Sequence, residues 1–176
     1  MTTPNNYIPV AALESGLSNQ SIAAYAAKVG NRYGIYDANG RADIESLLRQ
    51  LGGSIEYHDG PESLKISTPR QFTVYIPSFT SARRDRFTVA HELGHFFLHY
   101  IYLRKNGPDT FTRAGTNRAE TEANVFASNL LMPEQSYRAA FEAHGPNFWE
   151  IASIFDVSPL AAEVRAKVLG LYNDES

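Results

Sequence analysis

The chain has 176 residues and a net charge of −3, with 43% apolar and 20% charged residues. Ten Tyr, ten Phe and one Trp exclude a disordered polar chain, because that much apolar surface offsets the entropy of ordering. The mildly acidic balance argues against broad electrostatic capture of nucleic acid or anionic membrane, and the absence of Cys removes disulfides, thiolate chemistry and Cys-rich zinc fingers together.

The first basic residue is Lys28, and the opening Met1–Leu17 is interrupted by Pro4, Pro9, Glu14 and Gly16. It has neither the basic start nor the apolar run of a secretory signal, so a cytoplasmic protein is expected. No run approaches the ~18 apolar residues of a membrane span. Ser18 or Asn19 is placed to cap a helix reaching Gly30 or Tyr33, with Ile22, Tyr25, Ala26 and Val29 at helical spacing. After the turn cluster Asp37–Gly40, a second helix runs from Ala42 or Asp43 to Leu51 and stops at Gly52-Gly53. Ser54–Tyr57, Leu64–Thr68 and Phe72–Ile76 then read as three short strands. In the last, Phe72, Val74 and Ile76 share one face.

From Thr80 or Ser81 the pattern is helical through about Tyr102, and it is apolar nearly all round between Phe87 and Ile101, as in a helix at the centre of a domain. Arg104–Gly115 is a polar, partly basic loop. Asn117 and Glu120 fit a capping box for a helix that ends before Pro133. Three shorter helices are expected around residues 134–143, 147–155 and 159–169. The economical reading is one α+β domain: N-terminal helices in 1–52, a small three-stranded sheet in 53–77, the central helices in 80–132 and C-terminal helices in 133–176.

Inside the apolar helix lies His91-Glu92-Leu93-Gly94-His95, an HExxH motif. At 3.6 residues per turn the two histidines share a face, about 6 Å apart along the axis, so both imidazoles can ligate one tetrahedral Zn²⁺. Glu92 follows the first histidine and can reach the attacking water without being a ligand. Burying two imidazoles and a carboxylate without partners would cost several kcal/mol, which a metal site avoids. His99 continues the same row but lies about 12 Å from His91, too far to share the ion. It reads as a support for a ligand or as core, with Asn124 a second candidate support. Leu98 and Ile101 stand where a metzincin has Gly and His. On the following helix Glu122 lies about 60° from the middle of the stripe Ala119, Ala123, Phe126, Ala127, Leu130. Glu120 is further round and has a use in the cap, so Glu122 is the expected third ligand.

Phe87–His99 (FTVAHELGHFFLH) followed by Glu120–Pro133 (ETEANVFASNLLMP) closely resembles the ImmA/IrrE family of zinc metallopeptidases, and Ile151–Leu171 resembles that family's closing helices. The resemblance implies a zincin-like fold holding one Zn²⁺ through His91, His95 and Glu122, with Glu92 as catalytic base. It further implies a cytoplasmic endopeptidase whose protein substrate is a helix-turn-helix transcriptional repressor. The edge of the strand Gln71–Ile76 is expected to take extended substrate by strand addition. Tyr100, Tyr102, Tyr137 and His144 are candidates for stabilising the oxyanion. Two other readings stand beside this one. The protein could bind a repressor without cutting it, the zinc serving only its fold. Alternatively Ala152–Pro159 and the helix after it could form a helix-turn-helix DNA reader, although Pro159-Leu160-Ala161-Ala162 is poor in groups that read base edges.

Overall fold

The computed structural model describes residues 12–113 and 115–174, so most of the opening segment weighed as a signal lies outside the described residues. Helix α1 (Asn19–Arg32) starts where the Ser18 hydroxyl accepts the Ser21 N–H at 3.1 Å, and α2 (Ile44–Leu51) where Asp43 accepts the Ser46 N–H at 2.9 Å. Each cap satisfies a backbone donor that the first turn leaves without a partner. Gly52 ends α2 at φ 86°, and a Cβ there would stand 2.0 Å from the Arg70 carbonyl oxygen. Only glycine lets the chain pass from helix to sheet at that point.

Strands β1 (Gly53–His58), β2 (Ser63–Thr68), β3 (Gln71–Pro77) and β4 (Asp109–Thr112) form one mixed sheet in the order β1-β3-β2-β4. β1 is parallel to β3, whereas β2 is antiparallel to both β3 and β4. Alternation buries Leu64, Ile66, Phe72, Val74, Ile76 and Phe111. Two expectations change here. The sheet has four strands rather than three, because β4 forms inside Arg104–Gly115. Phe111 is the lone large apolar residue of that segment, so a period of two has nothing to repeat; the strand exists through pairing of Phe111 with Leu64. The second change concerns β3. It is an interior strand whose backbone groups are taken by β1 and β2, so the free edge expected there for substrate does not exist.

Helix α3 (Ala82–His95) opens on Ser81 and runs straight into a π-helical turn, Phe96–Ile101, closed by a bond from the Tyr102 N–H to the Phe97 carbonyl at 2.9 Å. Such turns weaken regular helical bonding and concentrate at functional positions. Phe96 stacks on Phe72 at 4.3 Å between ring centres, seating the helix on the sheet. Helix α4 (Arg118–Leu131) packs against α3 and α1 at once, its Phe126 meeting Phe97 at 5.6 Å and Tyr25 at 6.1 Å.

Helices α5 (Glu134–His144), α6 (Phe148–Phe155) and α7 (Pro159–Val168) close the chain. The turn between α6 and α7 is fixed by Asp156, a residue at φ 54° whose carboxylate meets Arg41 at 3.0 Å, Arg83 at 3.3 Å and Arg86 at 3.4 Å. On α7 the Arg165 guanidinium is buried, donating to the Met132 carbonyl and to Asn129 Oδ1. Lys167 pairs with Glu163 and Asp174, and the outward positions include Leu160, Val164 and Val168. The helix that a DNA reader would insert therefore turns apolar side chains outward. Among the described residues no helix is long and apolar enough to cross a membrane.

Candidate metal centre

The site begins with a glycine. A Cβ at Gly94 would lie 2.9 Å from both the Cα and the carbonyl oxygen of Ala123. The backbones of α3 and α4 therefore meet here, at a cost of about 1 kcal/mol in helix propensity. This close approach brings the first turn of α4 over His91 and His95, whose ring centres are 4.9 Å apart. Glu120 Oε2 lies 3.1 Å from His91 Nε2, and Glu120 Oε1 lies 3.3 Å from His95 Nε2. Ligand atoms of His91, His95 and Glu120 all fall within 4.8 Å of one another, and all three residues are buried.

The donor chemistry of this cluster fits a cation. Asn124 Oδ1 lies 2.8 Å from His91 Nδ1, an arrangement in which the ring donates from Nδ1 and leaves the Nε2 lone pair toward Glu120. His95 Nδ1 is 2.9 Å from His99 Nδ1, so its Nε2 also faces Glu120. His91 Nε2 and Glu120 Oε2 are buried and make no hydrogen bond among the described residues. Two lone pairs and a carboxylate converge, and a positive ion between them would satisfy all three. Burial lowers the His95 pKa to about 4, keeping its ring neutral, the form that ligates metal. Burial by itself would raise Glu120, but the two imidazoles outweigh it and hold its carboxyl well below the ordinary range. Two imidazoles and one carboxylate are a donor set that suits a divalent cation such as zinc.

Glu120, and not the expected Glu122, is thus the carboxylate placed against the histidine pair. The helical stripe misled because α4 is buried on two faces. Glu120, Ala123 and Asn124 look toward α3, where Ala123 meets Gly94 and Asn124 meets His91. Glu122 and Phe126 look toward His99, Phe97 and Tyr25. Averaging the two faces into one stripe points between them. The capping box is half made: Asn117 accepts the Glu120 N–H at 3.0 Å, while the Glu120 carboxylate goes to the histidines. Glu122 is fully buried and accepts from His99 Nε2 at 2.7 Å. His99 and Asn124 each touch, on one histidine of the pair, the ring nitrogen that points away from the cluster.

Glu92 is 1% exposed and its Oε2 has no hydrogen-bond partner among the described residues. Burial first, then the charges of Glu62 and Glu120, raise its pKa well above the carboxylate range, against a smaller opposing effect of Arg113. Glu62 and Arg113 were not foreseen. Glu62 precedes β2 and Arg113 follows β4; pairing of Ser63 with Thr112 brings them together, and they form an ion pair. Glu62 also accepts from the Thr88 hydroxyl at 3.2 Å. No local signal marks either residue, because only the strand pairing makes them neighbours. Phe111 of β4 stacks over the His95 ring at 5.6 Å. Of the oxyanion candidates, Tyr100 donates to the Gly107 carbonyl at 2.7 Å, Tyr137 to that of Ala162, and His144 pairs with Glu150, while Tyr102 packs edge-on against Tyr25. A cavity of about 570 Å³ opens elsewhere, beside Asp43, Tyr57 and Arg86, and none of the metal-facing residues lines it.

Residues 53–167 match the peptidase family described as the IrrE N-terminal-like domain. Metallopeptidase ImmA of Bacillus subtilis (strain 168) is 23% identical over 145 residues, which span 82% of this chain and 79% of that protein. The matched segment contains the whole sheet, the histidine pair and both glutamates of α4.

Proposed function

The chain belongs to the peptidase family described as the IrrE N-terminal-like domain, and from that premise we propose a zinc-dependent endopeptidase that acts in the cytoplasm on a helix-turn-helix transcriptional repressor. The unit that acts is the whole chain as one domain. The observation that carries this reading is the convergence of His91, His95 and Glu120 beside a buried, unpartnered Glu92. The choice of substrate rests on the resemblance to ImmA/IrrE peptidases, and that of metallopeptidase action on the family match and the 23% identity to Metallopeptidase ImmA.

A bound zinc ion would supply Lewis acidity, bringing the pKa of water toward ~7 and polarising the scissile carbonyl. The remaining work falls to side chains. Glu92 accepts the proton of the attacking water and returns it to the leaving amine, from its buried position next to His91. His91 and His95 are held in their ligating tautomers by Asn124 and His99. Phe111 shields the second imidazole from water. Extended substrate adds to β4, whose outer edge is unpaired among the described residues, rather than to β3.

The test is co-incubation of the purified protein with purified helix-turn-helix repressors from the same organism, with and without chelator. Chelator-sensitive fragments support the proposal, and Glu92→Gln should keep zinc while abolishing them. A stable complex without fragments would replace peptidase action with stoichiometric binding. Retarded operator DNA in the absence of regulator would point to a DNA reader instead.

A further inference from the structure

The family match starts at residue 53, yet the hydrogen bonding behind the histidine pair is completed from the segment ahead of α1. The Ser15 N–H donates to Glu122 Oε2 at 2.8 Å, and the same oxygen receives the His99 Nε2–H at 2.7 Å. A carboxylate only accepts, so His99 must donate from Nε2 and carry its lone pair on Nδ1. His99 Nδ1 then accepts from His95 Nδ1–H at 2.9 Å, which leaves the His95 Nε2 lone pair facing Glu120 at 3.3 Å. Donation runs in one direction through the chain His95, His99, Glu122, with Ser15 steadying its far end. With the segment in place Glu122 is 0% exposed, so its carboxylate meets only protein groups. The segment is also latched: Arg118 donates to the Leu17 carbonyl at 2.9 Å and to Asn19 Oδ1 at 2.8 Å, and lies 3.3 Å from Glu122 Oε1.

We propose that Ser15–Asn19 is a positioning element for the metal centre. The strap holds Glu122, Glu122 orients His99, and His99 selects which nitrogen of His95 faces the ion. The proposal rests on the assignment of His91, His95 and Glu120 as the metal-facing set. It extends the functional unit into a part of the chain that the family match leaves out.

The experiment uses the full-length protein with three substitutions. Ser15→Pro removes the N–H, Arg118→Met releases the latch, and Ser15→Thr keeps both the N–H and the hydroxyl. Zinc affinity is read by competition with a chromophoric chelator, and the ring tautomers of His95 and His99 by nitrogen-15 NMR of the metal-free protein. Ser15→Pro and Arg118→Met should each weaken zinc about tenfold, the lower end of the range for groups that orient a ligand from behind. The single His95 tautomer should be lost in both, whereas Ser15→Thr should match the parent in both readouts. Parental zinc affinity and an unchanged tautomer in the first two variants would overturn the proposal. Should Ser15→Pro fail to fold, parental behaviour of Arg118→Met, which removes both the latch and the contact with Glu122, still overturns the proposal. If the parent itself binds no zinc, or Glu120→Ala binds it as tightly, the metal-facing set is wrong; the tautomer readout still judges the strap.

Discussion

The α-carbon of Ala123 stands 2.9 Å from where a side-chain carbon on Gly94 would sit. The contact is backbone against backbone, so no flexible side chain can yield. Gly94→Ala should therefore push α3 and α4 apart despite the better helix propensity of Ala. Overpacking of about 1–3 kcal/mol against a gain of about 1 predicts a net loss of up to roughly 2 kcal/mol. Glu120 sits on the displaced helix, so zinc affinity should fall along with the melting temperature. Calorimetry and zinc titration on one preparation would check both.

The two glutamates of α4 should separate cleanly. Glu120→Ala removes the carboxylate facing both imidazoles and should abolish stoichiometric zinc binding. Glu122→Ala removes a partner of His99 and should weaken zinc about 10–100-fold without abolishing it. It should also destabilise the fold by roughly 1–3 kcal/mol, since the Ser15 N–H and a buried His99 nitrogen lose their acceptor. Metal analysis after extensive dialysis distinguishes the two.

Asp156 gathers three guanidinium groups from the turn before α2 and from α3. Asp156→Ala should cost about 1–2 kcal/mol, a modest figure because the carboxylate is 31% exposed and its pairs are partly screened. The loss should shrink as salt rises, which denaturant titrations at low and high ionic strength would show.

Alkaline pH should loosen the C-terminal helices. Burial pushes the Tyr137 hydroxyl from the ordinary 10 up to about 12, and that hydroxyl donates to the Ala162 carbonyl. An acid whose pKa is raised by folding contributes stability that is complete below pH 10 and disappears between 10 and 12. Tyr137→Phe should cost about 1 kcal/mol at neutral pH and flatten the loss over that window. Unfolding midpoints measured from pH 8 to 12 would test both parts.

Much of the fold was legible because most elements carry local punctuation. Ser18, Asp43 and Ser81, each one of two residues expected to open its helix, and Asn117 supply the caps, and the HExxH spacing alone puts both histidines on one face. What escaped was written in contacts between distant segments. β4 exists because Phe111 pairs with Leu64, and Glu62 meets Arg113 only through that pairing. The choice between Glu120 and Glu122 depends on α4 having two buried faces, which a single periodicity merges. β3 offered the same alternation as an edge strand while lying between two neighbours. The π-helical turn after His95 has no sequence signature in a run of apolar residues.

The most direct measurement is anomalous diffraction at the zinc absorption edge from crystals of the zinc-loaded protein. The account predicts a single strong peak about 2 Å from His91 Nε2, His95 Nε2 and one Glu120 oxygen, with Glu92 close by but not bonded to it. A peak coordinated by Glu122 in place of Glu120, or no peak between the two helices, would contradict it.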